Sequence, residues 1–414
     1  MKNLKKILWT ISIIIILLFN KSAFSQSKSI FQIVESVPIE TELGLDETKR
    51  TFNVWLDMVK NAKYSIEIEC FYVSNKAGEP LEEILSEIKK SANRGVKVRF
   101  LVDARMKKTY PQPLDNLNNI QNIEVEAIDY FNKLGGVVHA KYMLVDRKDL
   151  FIGSQNFDWR ALKHIHEVGF RIENKKFAQM FGLIFDLDWK IATSEKVNPI
   201  ESYFKTDIKQ FINAENPITI ESESKRIIEL YPSFSPKEVI YPNMNWDETE
   251  IIKLMNEAES EILIQLLSYS VKDKNDFYSK LDNAIRSAAI RGVKVNIILS
   301  DWSRGKSKLP YIKSLAVIPN INIHFSTIPE WSGGSIPYSR VEHCKFLIVD
   351  KKYGWLGTSN WGKSYFHTSR NMGVVFKSKY AAKIIHKMFY KSWNSKYTYS
   401  VKVGKNYNMK KEIK

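Results

Sequence analysis

The sequence predicts an α/β protein built by internal duplication, with two similar lobes contributing to one shared site. Three observations predict it. ANRGVKVRFLVD (residues 92–103) is answered by AIRGVKVNIILS (289–300). Around both copies, strand-like and helix-like segments alternate in the same order, the mark of a mixed α/β sheet in each half. HAKYMLVD, from His139 to Asp146, returns as HCKFLIVD, from His343 to Asp350.

Taken in order, the chain opens MKNLKKILWTISIIIILLFNKSAFSQS: a basic start, an apolar run from Ile7 to Phe19, and the small-x-small pattern Ala23-Phe24-Ser25. This reads as an export signal over residues 1–25, cut before Gln26, and implies a periplasmic or secreted protein. The alternative is an uncleaved N-terminal anchor, disfavoured because a membrane span needs roughly 20 apolar residues. In the first lobe (26–196), Phe52, Trp55, Leu56 and Val59 fall at helical spacing. The strand YSIEIECFYV, a helix around LEEILSEIKKSA and the strand VKVRFLVD follow. The second lobe (246–400) opens with DETEIIKLMNEAES, where Asp247 and Glu250 suggest a capping box, then repeats the order with EILIQLLSYS, FYSKLDNAIRSAA and VKVNIILS. Each half adds a strand (NIEVEAI; NINIHFS) and an irregular stretch with a glycine pair (Gly135-Gly136; Gly333-Gly334). Between the lobes, residues 197–245 carry five prolines with weak periodicity and read as a surface connector; 401–414 read as a basic tail.

The formal net charge is +16. Loss of residues 1–25 would remove Lys2, Lys5, Lys6 and Lys21 and no acid, leaving +12. Such a surplus favours polyanionic partners, either nucleic acid or an anionic lipid surface. Cys70 and Cys344, the only cysteines, lie in different halves and read as free, buried thiols. No His/Cys/Asp cluster has metal-ligand spacing, so neither a metal nor another cofactor is expected.

With its downstream residues, the repeated string reads His139, Lys141, Asp146, Gly153-Ser154, Asn156, then His343, Lys345, Asp350, Gly357-Thr358, Asn360, at identical spacing. On a strand, His139 and Lys141 share one face, while Asp146 has the opposite parity and meets a turn. The aspartates are thus expected to fix turns and to serve catalysis indirectly. Each cluster offers an imidazole, an ammonium group, a hydroxyl and an amide. Two clusters facing each other satisfy phosphodiester chemistry: Lys141, Lys345, Asn156 and Asn360 compensate phosphoryl charge, and the two histidines divide nucleophile and acid.

The pattern H-x-K-x4-D-x6-G-[ST]-x-x-N, present twice, resembles the phospholipase D superfamily. HAKYMLVDRKDLFIGSQNFDWRAL and IPYSRVEHCKFLIVDKKYGWLGTSNWGKSYF are similar to the subfamily of lysosomal five-prime exonucleases and viral envelope relatives. The resemblance implies two α/β sandwich lobes with one active site at their interface, and a metal-independent, phosphohistidine-forming phosphodiesterase. Its substrate would be single-stranded nucleic acid or, alternatively, phospholipid headgroups. It further implies that an acid or amide orients each histidine. Glu167 and Asn371, each 28 residues after a motif histidine, are the candidates, with the pairing open, and His139 is the implied nucleophile. His164, His166, His324, His367 and His386 read as surface or structural histidines. Trp331, in a glycine-rich loop leading to His343, is a candidate stacking residue, and Arg340 and Lys133 are candidate phosphate contacts.

Overall fold

A computed structural model describes residues 29–194, 204, 208–222, 225–273 and 276–408. The predicted signal, 1–25, lies outside these residues. Among them no helix is long and apolar enough to cross a membrane.

Each half forms one mixed sheet. In the first, the strand order is Lys49–Arg50, Phe31–Ser36, Glu167–Glu173, Asp149–Gly153, Lys141–Val145, Ser65–Cys70, Lys97–Asp103, Ile123–Ile128. In the second it is Ile218–Glu221, Ile227–Ser235, Asn371–Lys377, Tyr353–Gly357, Lys345–Val349, Glu261–Leu266, Lys294–Ser300, Ile321–Ser326, Thr398–Ser400. The crossovers from Ser65–Cys70 to Lys97–Asp103 and from Glu261–Leu266 to Lys294–Ser300 are parallel. They run through helices Pro80–Asn93 and Lys280–Ile290, as parallel pairing requires a long connection. Pro80 starts the first of these helices, where its missing N–H costs nothing, and Gly95 follows it in the left-handed region at φ +98°.

Two expectations need correction. Residues 197–245 are not merely a connector: Ile227–Ser235 pairs antiparallel with Asn371–Lys377 as Phe31–Ser36 pairs with Glu167–Glu173, so the second lobe begins within that segment. Alternation of buried residues along Ile227–Ser235 is hidden by Pro232 and by two polar positions that turn inward. Nor does the Asp247/Glu250 capping box form. Helix Asp247–Asn256 has no side-chain cap, because Asp247 is buried and accepts hydrogen bonds from Ser233 Oγ (2.5 Å), Trp355 Nε1 (2.8 Å) and Ser359 Oγ (2.8 Å).

Each sheet has an outer core of its own, and a third, larger core joins the lobes. Helices Lys175–Thr193 and Lys379–Trp393 start at side-chain caps, Asn174 and Ser378, and send Phe177, Phe181, Phe185, Ile385 and Phe389 into that shared core. Phe170 and Phe376, one from each sheet, meet edge-on at 5.5 Å. Each such buried side chain contributes about 2 kcal/mol. The lobes therefore hold a fixed geometry, which a site made of two halves requires.

Candidate active site

The site lies where the two lobes exchange backbone. Val138 pairs in parallel with Arg370, and His166 with Glu342. The amides of the two motif histidines donate across the interface, His139 to the Arg370 carbonyl and His343 to the His166 carbonyl, each at 2.9 Å. Gly136 has its reason here, since a Cβ would sit 2.0 Å from the Thr368 carbonyl oxygen of the other lobe.

Across this exchange each motif histidine meets a side chain of the opposite lobe. His139 Nδ1 meets Asn371 Oδ1 at 3.0 Å, and His343 Nδ1 meets the Glu167 carboxylate in a short contact. The Asn371 carboxamide cannot turn round, because its Nδ2 donates to the Tyr365 carbonyl and its Oδ1 also accepts from Thr358 Oγ1, both at 2.8 Å. An acceptor at Nδ1 assigns the proton there and leaves the Nε2 lone pair of His139 for chemistry.

Strands Lys141–Val145 and Lys345–Val349 bring an ammonium group beside each ring. Lys141 Nζ donates to the His139 carbonyl (2.9 Å) and Lys345 Nζ to that of His343 (2.8 Å), so each lysine is anchored by one N–H and keeps two for a ligand. His139, Lys141, His343 and Lys345 are all buried. Burial, then the two ammonium groups, pushes both imidazoles well below their ordinary value. Burial and the neighbouring Lys345 pull Lys141 well down, while burial takes Lys345 down to about 7 and holds Glu167 well above the usual carboxylate range. Both imidazoles and both lysines thus resist charge. A bound anion favours their protonated forms, so arrival of a phosphodiester is coupled to proton uptake.

The other predicted residues divide. Asn156 and Asn360 are buried, and neither Oδ1 finds a partner among the described residues. Thr358 is not a free donor to a substrate, because its hydroxyl donates to Asn371 while it accepts from the Met372 amide; Ser154 Oγ accepts from the Val168 amide. Asp146 and Asp350 are not brought to the site, standing seven residues along extended chain from the histidines, roughly 20 Å away. Each opens a turn with two consecutive residues at positive φ: Asp146 (52°) with Arg147, Asp350 (51°) with Lys351. Asp146 accepts from the amides of Lys63, Tyr64 and Ser65, and Asp350 from those of Glu259, Ser260 and Glu261.

Arg340 is a structural donor to the Pro329 and Ile39 carbonyls, and Lys133 pairs with Asp129. Trp331 is half-buried against His164, 5.1 Å away. The remaining histidines take structural places, His324 stacked on Trp393 at 3.6 Å and His367 on Glu248. Cys70 and Cys344 are free and buried.

Sequence reasoning missed Phe71 and Tyr365, whose rings stand 5.6 Å and 5.0 Å from that of His139. It also missed two buried clusters behind the site. Arg370 is bound bidentately by Asp188 (2.6 and 2.7 Å), and His166 lies between Glu342 (2.7 Å) and Glu35 (3.0 Å). Their signal was positional: His166 and Arg370 each lie 27 residues after a motif histidine, a polar pair at equivalent places in the two copies.

Comparison with known proteins agrees with this geometry. The family model described as "Cardiolipin synthase, PLD-like domain" matches residues 55–189 and 251–393. Phospholipase D Z of Dictyostelium discoideum is 25% identical over 389 residues, covering 89% of this chain and 90% of that protein. The virion nicking-joining enzyme of Vaccinia virus (strain Copenhagen) is 28% identical over 392 residues, covering 89% of each. The 5'-3' exonuclease PLD3 of Xenopus laevis is 26% identical over 411 residues, covering 92% and 82%. Among solved structures, the phosphatidylserine synthase of Haemophilus influenzae Rd KW20 shares the fold at a TM-score of 0.57, with 14% identity and coverage of 84% and 85%. With both halves matched and both motifs meeting in one site, the chain belongs to the phospholipase D superfamily, as one of its phosphodiesterases.

Proposed function

We propose that the protein is an exported nuclease that cleaves single-stranded nucleic acid through a covalent phosphohistidine, with His139 as nucleophile and His343 as acid. The observation that carries the division of labour is the unlike pair of orienting groups. A carboxylate at Nδ1 favours the imidazolium, so the Glu167 side fits a histidine that must carry a proton to the leaving group. The neutral carboxamide of Asn371 fixes a tautomer without favouring a charge, which fits a histidine that must present a lone pair.

In the first step His139 Nε2 attacks phosphorus, an N–P bond forms, the ester P–O bond breaks, and the leaving oxygen takes the proton of His343. In the second, His343 takes a proton from water, the hydroxide attacks phosphorus, and the N–P bond breaks to release the phosphate product and His139. Lys141 and Lys345 balance the non-bridging oxygens throughout, with the carboxamides of Asn156 and Asn360 as neutral donors.

Three features favour nucleic acid: the formal charge of +12 left after loss of residues 1–25, the aromatic surround of His139 by Phe71 and Tyr365, and the Tyr72–Tyr110 stack at 5.1 Å beyond Phe71. Aromatic faces accept bases without regard to sequence. Names of relatives point to both nucleic acid and lipid, so phospholipid headgroup hydrolysis is the competing reading. Purified protein is incubated separately with end-labelled oligonucleotide and with phosphatidylglycerol vesicles, with EDTA present. Oligonucleotide turnover supports the proposal; turnover of lipid alone rejects it. Export is tested by the N-terminal residue of the secreted protein, expected at Gln26.

A further inference from the structure

His166 has no part in the chemistry above, yet it is fully buried and holds carboxylates on both ring nitrogens, Glu342 on Nδ1 at 2.7 Å and Glu35 on Nε2 at 3.0 Å. Two acceptors on one ring require two N–H donors. His166 is therefore an imidazolium: burial works against its charge, and Glu342 beside it holds it well above its ordinary value. Both carboxyls are in turn pulled below theirs by it, against the same cost. Cys344 lies beside the ring, 3.9 Å from Nδ1, and His166, Glu342 and Cys344 are near enough to suggest a metal site. The contacts argue otherwise. Atoms bound to one zinc at roughly 2.0–2.3 Å stand more than about 3 Å apart, and here the ring nitrogen and the carboxylate oxygen are at hydrogen-bond distance.

The placement gives this cation its use. Glu342 precedes His343 and His166 precedes Glu167, so the clamp sits one residue behind both members of the proposed acid pair. Glu35 extends it into strand Phe31–Ser36, where the same carboxylate is held by Thr48 Oγ1 (2.6 Å) and the Leu45 amide (3.0 Å). We propose that His166 is a positioning residue, a buried cationic latch between the lobes that sets the register of Glu167 against His343. The equivalent place in the other half is filled by Arg370, which Asp188 grips and which donates to the Ser235 and Val239 carbonyls. One latch is thus permanently charged and the other titratable. The acid pair also faces Lys141, Lys345, His139 and Asp158, and Arg50 faces Glu35 at 3.4 Å.

The inference rests on the phosphodiesterase reading for its consequence, but its primary test needs no substrate. Ring-nitrogen NMR of histidine-labelled protein is recorded from pH 5 to 9 for the parent, Glu342→Gln and His166→Gln. The parent should show one ring protonated on both nitrogens up to pH 8, lost in His166→Gln. Glu342→Gln, equal in shape, should lower the titration midpoint of the His343–Glu167 pair by about half a unit or more, since one anion beside it is removed. With bis(p-nitrophenyl) phosphate as probe, both variants should lose about tenfold or more in kcat with KM within about twofold. A neutral His166 ring at pH 7, an unmoved midpoint in Glu342→Gln, or a stoichiometric metal in the purified parent overturns the proposal. Absence of turnover in the parent would defeat the functional reading alone, leaving the NMR result to decide the latch. Should His166→Gln fail to fold, the parent spectrum and Glu342→Gln suffice.

Discussion

Replacing Glu167 by Gln tests the division of labour most sharply. The change keeps the side chain's shape and a hydrogen-bonding atom near His343 Nδ1, and removes from a buried contact the group that takes the negative charge opposite a protonated His343. Opposite charges about 4 Å apart at an effective dielectric constant near 20 attract by about 4 kcal/mol. That attraction exists only while His343 is an imidazolium, so its loss raises the barrier of the step that uses the imidazolium. At 1.36 kcal/mol per factor of ten, kcat should fall about a thousandfold with KM little changed. The comparison is Asn371→Ala, which removes a neutral acceptor from His139 and should cost less, about ten- to a hundredfold. Initial rates on a labelled oligonucleotide and on a small chromogenic diester, with Tm beside them, complete the assay. Glu167→Gln within fivefold of the parent at an unchanged Tm would refute the assignment of His343 as the charge-bearing histidine.

Three further outcomes follow from the geometry. Arg370→Met leaves Asp188 buried without its partner, which should cost about 3–5 kcal/mol, read as a drop in denaturant midpoint at unchanged slope. Asp350→Ala removes three backbone acceptor contacts at a turn with positive φ, so stability should fall by about 1–3 kcal/mol while kcat per folded molecule stays within about threefold; a loss of kcat at unchanged stability would place Asp350 in the chemistry instead. Lys345→Met should abolish turnover yet raise Tm. The folded protein binds the Lys345 proton less tightly than the unfolded chain, about 7 against 10.5, so the lysine costs stability at neutral pH. The cost fades as pH rises through that window, so the gain in Tm at pH 7, on the order of 5 °C, should close by pH 10.

The duplication, the alternation of strand and helix, and the His/Lys face were legible because they depend on local periodicity and on spacing within one segment. HAKYMLVD shows its parity by itself. The turn role of the aspartates was legible for the same reason, since the turn lies next to the strand. The crossed pairing of Glu167 with His343 and of Asn371 with His139 was not, because equal spacing within each copy says nothing about which lobe a strand end faces. Strand Ile227–Ser235 of the second lobe was hidden because Ser233 and Ser235 face inward, against Asp247 and beside the Arg370 cluster, where apolar periodicity has no reason to appear. His166 could not be told from a surface histidine because its two carboxylates come from residues 35 and 342, far away along the chain.

The central claim, that one histidine from each half acts on a single phosphorus with His139 bonded to it, is tested by trapping the intermediate. Protein is mixed with a diester labelled at phosphorus, quenched with alkali, digested and mapped. The account predicts an acid-labile, alkali-stable label on the peptide carrying His139, absent from His139→Asn and accumulating in His343→Asn when the leaving group needs no proton. Label on His343 instead, or turnover with no labelled histidine under these conditions, would contradict it.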